Sequence, residues 1–148
     1  MAGSLSSSAN PSGVQGVCPA GWHLPSHDEW TQLENYLADN GFNYDSTIGG
    51  GRDKIAKSMA ATTLWNTSSN TGAIGNNLLT NNSSGFSGLP GGYRYYVGTF
   101  STIGYTGYWW SSSEYSKVAF RYLNYNYARV YSNISIKGSG FNVRCLRD

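Results

Sequence analysis

The chain has 148 residues, of which 39% are hydrophobic, and this length is typical of one domain with a single core. Charged residues make up only 12% and the net charge is +2, which is too small to indicate nucleic-acid binding. No apolar run approaches the roughly 20 residues of a membrane span, so we expect no membrane insertion by this chain.

The first fifteen residues are small and polar, and they lack the basic start and apolar stretch of a signal peptide. We interpret residues 1–15 as a linker or an expression-derived segment that lies outside the fold, and residues 16–148 as the domain. A native signal or anchor is therefore expected to lie outside this chain.

Two cysteines, Cys18 and Cys145, lie at opposite ends of the proposed domain. They are either two free thiols or a disulfide that ties the start of the domain to its last strand, and their positions favour the disulfide. A disulfide would indicate an oxidising compartment. The stretch CPAGW is not a CxxC redox motif and has no second pair of metal ligands near it, so we expect neither redox nor zinc chemistry.

The segment LPSHDEWTQLENYLADNG predicts a helix. Ser26 is suited to be its N-cap, Glu29 completes a capping box three residues later, and Gly41 can terminate the helix. Apolar side chains at helical spacing form one face, which we expect to pack on a sheet. These side chains are Trp30, Leu33, Tyr36 and Leu37.

Two histidines, His23 and His27, flank the start of this helix. Without a third ligand they indicate a structural and a surface residue rather than a metal site. Asp28 and Glu29 lie where the N-terminus of a helix favours negative charge, which accounts for both acids. We therefore predict no metal site here.

The stretch DKIAKSMAATTLW predicts a short second helix, because Ile55 and Met59 share one helical face. From residue 66 to residue 92 the chain is rich in Asn, Ser, Thr and Gly. We interpret this segment as a long ordered loop pinned by a few buried apolar side chains. The candidates for these anchors are Leu78, Leu79, Phe86 and Leu89.

Five later segments, each bounded by Gly, Ser or Asn, are typical of strands in hairpins. They are GGYRYYVGTF, GYWWSSSE, KVAFRYLNY, ARVYSNISI and GFNVRCLRD. In the last segment Phe141, Val143 and Cys145 occupy alternate positions, as in a half-buried strand, and we expect Trp109 and Trp110 to lie in the core. The predicted class is α+β, with one or two helices, a long ordered loop and an antiparallel sheet.

Four stretches of the chain, taken in order, resemble the landmarks of a known family. They are CPAGWHLPSHDEW, SSGFSGLPGGYR, GYWWSSSE and GFNVRCLRD, and they are similar to those of the Fibrobacter-type major paralogous domain (FISUMP), a group related to the C-type lectin fold. The resemblance covers residues 16–148. It implies a C-type lectin-like domain whose termini lie together, in agreement with a bridge between Cys18 and Cys145.

Two activities known for that fold depend on residues that this sequence lacks. Formylglycine-generating enzymes use two reactive cysteines in an active site, whereas the only cysteines here are the terminal pair. The lectin calcium motifs, EPN or QPD followed by WND, are missing, and too few carboxylates surround the nearest strings to hold calcium. We expect Glu114 to make a structural hydrogen bond next to Trp109 and Trp110. We predict no enzyme activity, no cofactor and no metal.

The segment FRYLNYNYARVYSNISIKGSG, residues 120–140, is crowded with Tyr, Asn and Ser and contains no acid. Such a composition is typical of antibody paratopes, because Tyr offers a large contact area at low entropy cost while Asn and Ser supply adaptable hydrogen bonds. The segment therefore indicates a recognition surface. The alternative is a polar, solvated sheet, since exposed aromatic residues alone do not prove binding.

A second resemblance is to the variable proteins of diversity-generating retroelements, whose scaffold is a C-type lectin-like domain. In these proteins the adenines of a C-terminal repeat are randomised, chiefly in AAY codons. Between Tyr115 and Gly140 only Lys117 and Lys137 lie outside the residues that such codons can encode. The segment also ends directly before GFNVRCLRD. The resemblance implies a ligand-binding module with a diversified face.

We predict a ligand face built from alternating positions of two strands and their connecting turns. Its residues are Tyr115, Ser116, Phe120, Tyr122, Asn124, Tyr127, Arg129, Tyr131, Asn133, Ile134 and Ile136. Tyrosines would anchor the ligand, and Arg129 would offer forked donors or stacking. We expect a monomer that is extracellular, on a cell surface or on a phage particle, with a protein or glycan ligand on another cell, phage or host surface. The alternative is a glycan-binding or structural cell-surface domain without a diversified site.

Overall fold

The computed structural model describes residues 6–148. Its long helix, α1, spans His27–Asp39, and the predicted capping box is confirmed. The Ser26 hydroxyl accepts a hydrogen bond from the backbone N–H of Glu29 (3.1 Å), and the Glu29 carboxylate accepts one from the backbone N–H of Ser26 (2.9 Å). Gly41 ends the helix with a φ of 81°, and the N–H of Phe42 donates to the carbonyl of Leu37. Both helix ends are thus fixed by local bonds.

The buried face of α1 differs at one position from the predicted face. Trp30 and Leu37 are buried and Leu33 packs against the core, as expected, but the side chain of Tyr36 is 59% exposed. Glu34 and Ala38 are buried instead. The buried face of α1 therefore includes Glu34 and Ala38, and Tyr36 lies outside it.

A second helix, α2, spans Ala56–Met59, and Ile55 and Met59 are both buried as predicted. In the loop that follows, Leu78 and Phe86 pack against the core, but Leu79 and Leu89 are exposed, so these two predicted anchors are wrong. Leu78 begins a 3₁₀ turn and faces inward, which directs the next side chain outward. Ile74 is the fully buried side chain that takes their place.

A lysine also pins this loop. Lys57 of α2 is buried, and its ammonium donates hydrogen bonds to the backbone carbonyls of Asn77 (3.1 Å) and Ala73 (3.4 Å). Burial lowers the pKa of Lys57 below its ordinary value of 10.5. The loop is therefore ordered partly by polar bonds that apolar patterning does not predict.

The strands form three antiparallel sheets. In chain order they are β1 (Trp22–His23), β2 (Tyr93–Arg94), β3 (Phe100–Ser101), β4 (Thr106–Glu114), β5 (Val118–Asn124), β6 (Tyr131–Ser135) and β7 (Leu146–Arg147). β4, β5 and β6 form the central sheet in that order, while β2 pairs with β3 and β1 pairs with β7. Two helices and antiparallel sheets make this an α+β protein.

Strand β4, the first strand of the central sheet, is buried on both of its faces. Trp109 points to a core that includes Trp30 and Leu123, whereas Trp110 points to a second core with Leu24 and Phe120. Neighbouring residues of a strand face opposite ways, so consecutive tryptophans fill both cores. The prediction that they lie in the core is confirmed.

The two ends of the domain meet. Cys18 and Cys145 form a disulfide with a Cα–Cα distance of 5.8 Å, which confirms the bridge favoured by the sequence. Phe141, Val143 and Cys145 are half-buried and alternate with exposed residues, although the strand itself is limited to β7. The last segment thus has the predicted alternation over an irregular backbone.

Part of the segment expected to lie outside the fold packs against it. Ser12 and Val14 are buried, and the carbonyl of Val14 accepts a hydrogen bond from the N–H of Leu24 (2.8 Å). The hydroxyl of Ser12 donates to the carbonyl of Leu24 (2.6 Å). The packed chain therefore begins before residue 16; residues 1–5 of the expected linker lie outside the described part.

Candidate ligand-binding face

The back face of the central sheet holds α1. Arg121 of β5 is buried there, and its Nε donates to the carboxylate of Glu34 at 2.7 Å. Its other nitrogens donate to the hydroxyls of Ser132 (2.9 Å) and Thr31 (3.1 Å). This face is occupied by the helix and belongs to the scaffold.

The front face carries a row of tyrosines. In the ladder Tyr108 of β4 lies opposite Tyr122 of β5, which lies opposite Tyr131 of β6. The ring centroids of Tyr108 and Tyr122 are 5.6 Å apart, and those of Tyr122 and Tyr131 are 4.8 Å apart. Cross-strand neighbours of one face contact each other, so the register itself aligns the rings.

This row extends beyond the sheet at both ends, and we call the whole set the tyrosine array. At one end Tyr127 contacts Tyr131 (5.7 Å); at the other, Tyr93 of β2 contacts Tyr108 (5.2 Å). Beyond Tyr93 the β2–β3 hairpin adds two more rings, with centroid distances of 6.2 and 4.4 Å along the row. The array consists of Tyr93, Tyr95, Tyr96, Tyr108, Tyr122, Tyr127 and Tyr131.

Several predicted site residues lie on or beside this array. Tyr122 and Tyr131 are half-buried within it, and Tyr127 and Arg129 are exposed in the turn between β5 and β6. The guanidinium of Arg129 lies over the ring of Tyr131, with its carbon 5.6 Å from the centroid. The remaining front-face positions are half-buried Asn124 and exposed Asn133, and Ile136 is exposed just after the end of β6.

Phe120 was wrongly predicted to be exposed on the face. Its side chain is only 6% exposed, because Phe141 covers it at a ring distance of 4.8 Å and Trp110 flanks it. Phe120 therefore belongs to the core beneath the face.

Three other predicted residues are exposed but lie apart from the array. Ile134 pairs with Ala119, which puts it on the back face of the sheet. Tyr115 and Ser116 lie in the β4–β5 turn, at the opposite end of β5 from Tyr127. The Tyr115 ring contacts His27 of α1 at 6.2 Å. The predicted set is therefore split between two ends and two faces of the sheet.

The sequence interpretation also missed four members of the array, namely Tyr93, Tyr95, Tyr96 and Tyr108. Three of them stand within four residues in GGYRYYVGTF, a local excess of tyrosine that would have been a usable signal. Tyr108 required knowledge of the strand register.

The chain matches the family model of the Fibrobacter succinogenes major domain over residues 4–147. It belongs to this family. The match agrees with the motifs CPAGWHLPSHDEW and GFNVRCLRD, which lie at the two ends of the domain. No curated protein and no solved structure matches the chain significantly.

The segment that carries most of the front face of this Fibrobacter succinogenes major domain has more basic than acidic residues. From residue 93 to residue 140 the only acid is Glu114, against five basic residues, of which only Arg121 is buried. Glu114 pairs with Lys137 at 2.8 Å, so its partner is a lysine and not a group beside the tryptophans. Arg129 lies 3.2 Å from Asp53.

The hydroxyl of Tyr122 stays protonated in this array. Burial, followed by the neighbouring tyrosines Tyr131 and Tyr108, raises the pKa of Tyr122 above its ordinary value of 10.0. A protonated phenol can donate a hydrogen bond, so Tyr122 is a donor at neutral pH.

Other chemistry is sparse in the described residues. Within residues 6–148 no group of three or more His, Cys, Asp or Glu side chains could hold a metal ion. No helix of that part is long and apolar enough to cross a membrane. A cleft of about 630 Å³ includes His23, but both of its ring nitrogens contact carboxylates, those of Glu29 (2.7 Å) and Asp148 (2.6 Å). The imidazole has no free nitrogen for a substrate.

Proposed function

We propose that this domain is a ligand-binding module with a C-type lectin-like fold, and that a retroelement diversifies the exposed positions of its C-terminal segment. The observation that supports this most is the separation of roles within residues 120–136. Arg121, Leu123 and Val130 are buried and hold the segment, whereas Tyr127 and Arg129 are exposed. Exposed side chains can change without loss of the buried contacts.

The fold assignment has support from the way the domain closes. β1 pairs with β7 and a disulfide joins residues near them, so the two ends of the domain lie together. Two helices precede a long loop and a central antiparallel sheet. The family resemblance implies a C-type lectin-like domain whose termini lie together, and the closure of the two ends agrees with this.

Binding would use a rigid scaffold under an adaptable face. Tyrosines supply contact area with few rotatable bonds, and Asn133 adds an exposed amide. The sheet is held by the Arg121–Glu34 pair and by two cores, so little ordering is needed when a ligand docks. The domain would act outside the cell, on a cell surface or on a phage particle, as a monomer.

A glycan-binding domain without a diversified site is the second candidate. The ring of Tyr96 at the end of the array is 53% exposed, and exposed aromatic rings also stack on sugars. The two candidates differ in whether the C-terminal segment varies.

Variation is tested by sequencing. The proposal requires a reverse transcriptase gene beside this gene, and a near-identical repeat of the 3′ coding segment that differs only at adenines. Sequences of the gene from a population should differ at the codons of Tyr127, Arg129 and Asn133. A population with one invariant segment and no repeat in its genome would contradict the diversified face.

Binding is tested separately with labelled domain on panels of intact bacteria, phage particles and arrayed glycans. The triple variant Tyr127→Ala, Arg129→Ala, Tyr131→Ala should lose at least about tenfold in affinity for whatever surface binds the parent. The matched control is Tyr36→Ala, which removes an exposed tyrosine from α1. Equal binding by parent and triple variant would show that the ligand does not bind at this face.

A further inference from the structure

Four of the seven tyrosines of the array lie upstream of the segment that we propose to vary. Tyr93, Tyr95, Tyr96 and Tyr108 precede residue 115, yet they are continuous with Tyr122 through the Tyr108–Tyr122 contact of 5.6 Å. A ligand that covers the C-terminal half therefore lies directly beside a half of constant sequence.

The upstream hairpin exposes apolar surface that the fold does not use. Val97 is 63% exposed and Phe100 is 69% exposed, and Tyr95 and Tyr96 of the same hairpin are exposed as well. A contiguous apolar patch on a small domain marks an interaction surface more often than a random position does. In the β2–β3 ladder Phe100 lies opposite Arg94, so these two side chains share one face of the hairpin.

This hairpin is fixed in place before any ligand binds. The N–H of Arg94 donates to the carbonyl of Gly140 (2.9 Å), and the N–H of Gly140 donates back to the carbonyl of Arg94 (2.7 Å). A Cβ on Gly140 would lie 3.1 Å from the Cβ of Arg94, so glycine allows this close approach without displacing the neighbour. The bonds join the hairpin to the end of the proposed variable segment and set the spacing of both halves.

The rings in the middle of the array present their edges to solvent. Tyr122 is stacked on Tyr131 with an interplanar angle of 14° and on Tyr108 with an angle of 25°. Their faces are therefore covered by each other, and a sugar ring has no free face to stack on at Tyr122. The edge of an aromatic ring is its positive side, and the hydroxyl donates a hydrogen bond. Both features favour a ligand rich in acceptors and negative charge.

The charged side chains around the array also favour a negatively charged ligand. Arg94 is exposed on the hairpin and makes no salt bridge with any residue between 6 and 148. Arg129 and Lys137 are also exposed, each with one acidic partner, and Glu114 is the only acid between residues 93 and 140. Among these three cations Arg94 is the one without an acidic partner in the described residues, and electrostatic complementarity favours an acidic partner surface there.

We propose that the ligand is an acidic protein surface that docks on both halves of the array, with the constant hairpin residues Tyr95, Tyr96 and Arg94 binding it together with Tyr131 and Arg129. This inference rests on the proposed function and adds the class of partner. A protein surface fits better than an acidic glycan, because Tyr and Arg are the side chains that dominate binding energy at protein interfaces. Its carboxylates would meet ring edges, hydroxyls and guanidinium groups.

The experiment is a selection of displayed random 12-residue peptides on the immobilised, folded domain, alongside an array of neutral and uronic-acid oligosaccharides. Selected peptides should be enriched in Asp and Glu, and their affinity should fall when salt is raised from 50 to 500 mM, roughly the range over which exposed charges become screened. Peptides without acidic enrichment, or binding of oligosaccharides alone, would overturn the acidic protein partner.

Variants then locate the binding. For a selected peptide, Tyr95→Ala with Tyr96→Ala should weaken binding at least about tenfold, and Arg94→Gln should weaken it and reduce its salt dependence. Tyr131→Phe keeps the stacked ring and removes only the hydroxyl, so it isolates the contribution of that hydroxyl to peptide binding. Tyr36→Ala on α1 is the control, and it should leave peptide binding unchanged. Melting temperatures of all variants are measured first.

The outcomes separate this inference from the proposed function. If the triple variant of Tyr127, Arg129 and Tyr131 loses binding but the Tyr95 and Tyr96 variant does not, the recognition face stands and the upstream half is excluded from it. If neither variant changes binding, both the face and its extension are wrong.

Discussion

His23 and His27, four residues apart, lie in opposite electrostatic surroundings. Burial by itself lowers the pKa of His23, but hydrogen bonds to Asp148 and Glu29 outweigh it and raise that pKa above the ordinary value of 6.5. Burial, followed by the charge of Arg121, lowers the pKa of His27. A guanidinium nitrogen of Arg121 lies 3.1 Å from Nδ1 of His27. Because arginine only donates hydrogen bonds, Nδ1 of His27 accepts this one and the imidazole is neutral.

These shifts predict opposite pH dependences of stability. The raised pKa of His23 means that its stabilisation is fully present below pH 6.5 and is lost as the pH rises through the folded-state pKa. Urea unfolding of the parent and of His23→Gln should therefore give a difference in unfolding free energy that shrinks with rising pH between about pH 5.5 and 8.5.

His27→Gln supplies the matched control. Because the folded-state pKa of His27 is lowered, the unfolded chain binds the proton more tightly, and this residue destabilises the fold as the pH falls below 6.5. The difference between parent and His27→Gln should change with pH in the opposite direction. Parallel pH profiles for the two variants would contradict the opposite environments.

At the scale of elements, a buried ion pair joins α1 to β5. Glu34 and Arg121 have side chains that are 3% and 1% exposed, with a nitrogen-to-oxygen distance of 2.7 Å. Removal of one partner leaves the other charge buried without compensation, so Glu34→Gln should cost about 3–5 kcal/mol of unfolding free energy. The double variant Glu34→Leu, Arg121→Leu should recover most of that loss. The unfolding free energies lost by the single variants Glu34→Leu and Arg121→Leu are compared with the loss of the double variant. If the two single losses simply add up to the loss of the double variant, the two residues do not interact.

The turn after β5 should tolerate change far better. Tyr127 and Arg129 are exposed and Tyr131 is half-buried, so replacing all three by Ala should cost no more than about 2 kcal/mol. Phe141→Ala should cost about 3 kcal/mol, because its ring contacts those of Trp110 (4.3 Å) and Tyr108 (5.1 Å). Urea midpoints measure both, and a triple variant that unfolds would place those tyrosines in the core.

The elements that the sequence predicted best are those fixed by local bonds. The cap of α1 depends on Ser26 and Glu29, three residues apart, and the end of the helix depends on Gly41, so the whole signal lies within the segment. The alternation of β5 likewise indicated correctly that Phe120 and Tyr122 share a face.

The errors arose where distant segments meet. Phe120 is buried because Phe141, twenty-one residues later, covers one end of that face, while Tyr122 lies beyond the cover. The contact between Tyr93 and Tyr108 depends on how the β2–β3 hairpin seats against the central sheet, through the bridge of Gly92 to Gly107. Periodicity within a strand carries no information on which segment packs over it.

At the scale of the whole molecule, the two ends of the domain are joined by three kinds of contact. β1 pairs with β7, His23 links Glu29 to Asp148, and the disulfide joins Cys18 to Cys145. The strands paired here have only two residues each, so their backbone bonds alone are a weak closure. The disulfide is therefore expected to dominate the closure.

Loss of the disulfide should lower stability without changing the fold. The bridge joins residues 127 apart, and in the chain-entropy model a loop of this length contributes about 4–5 kcal/mol. Cys18→Ala with Cys145→Ala should therefore lower the unfolding free energy by that amount, measured as a lower urea midpoint. Reductant should lower the melting temperature of the parent but not of the double variant. Intact mass after reduction under denaturing conditions should rise by two hydrogens. Thiols of the unfolded parent that alkylate freely without reductant would contradict the bridge, and a double variant as stable as the parent would show that the short strands close the domain by themselves.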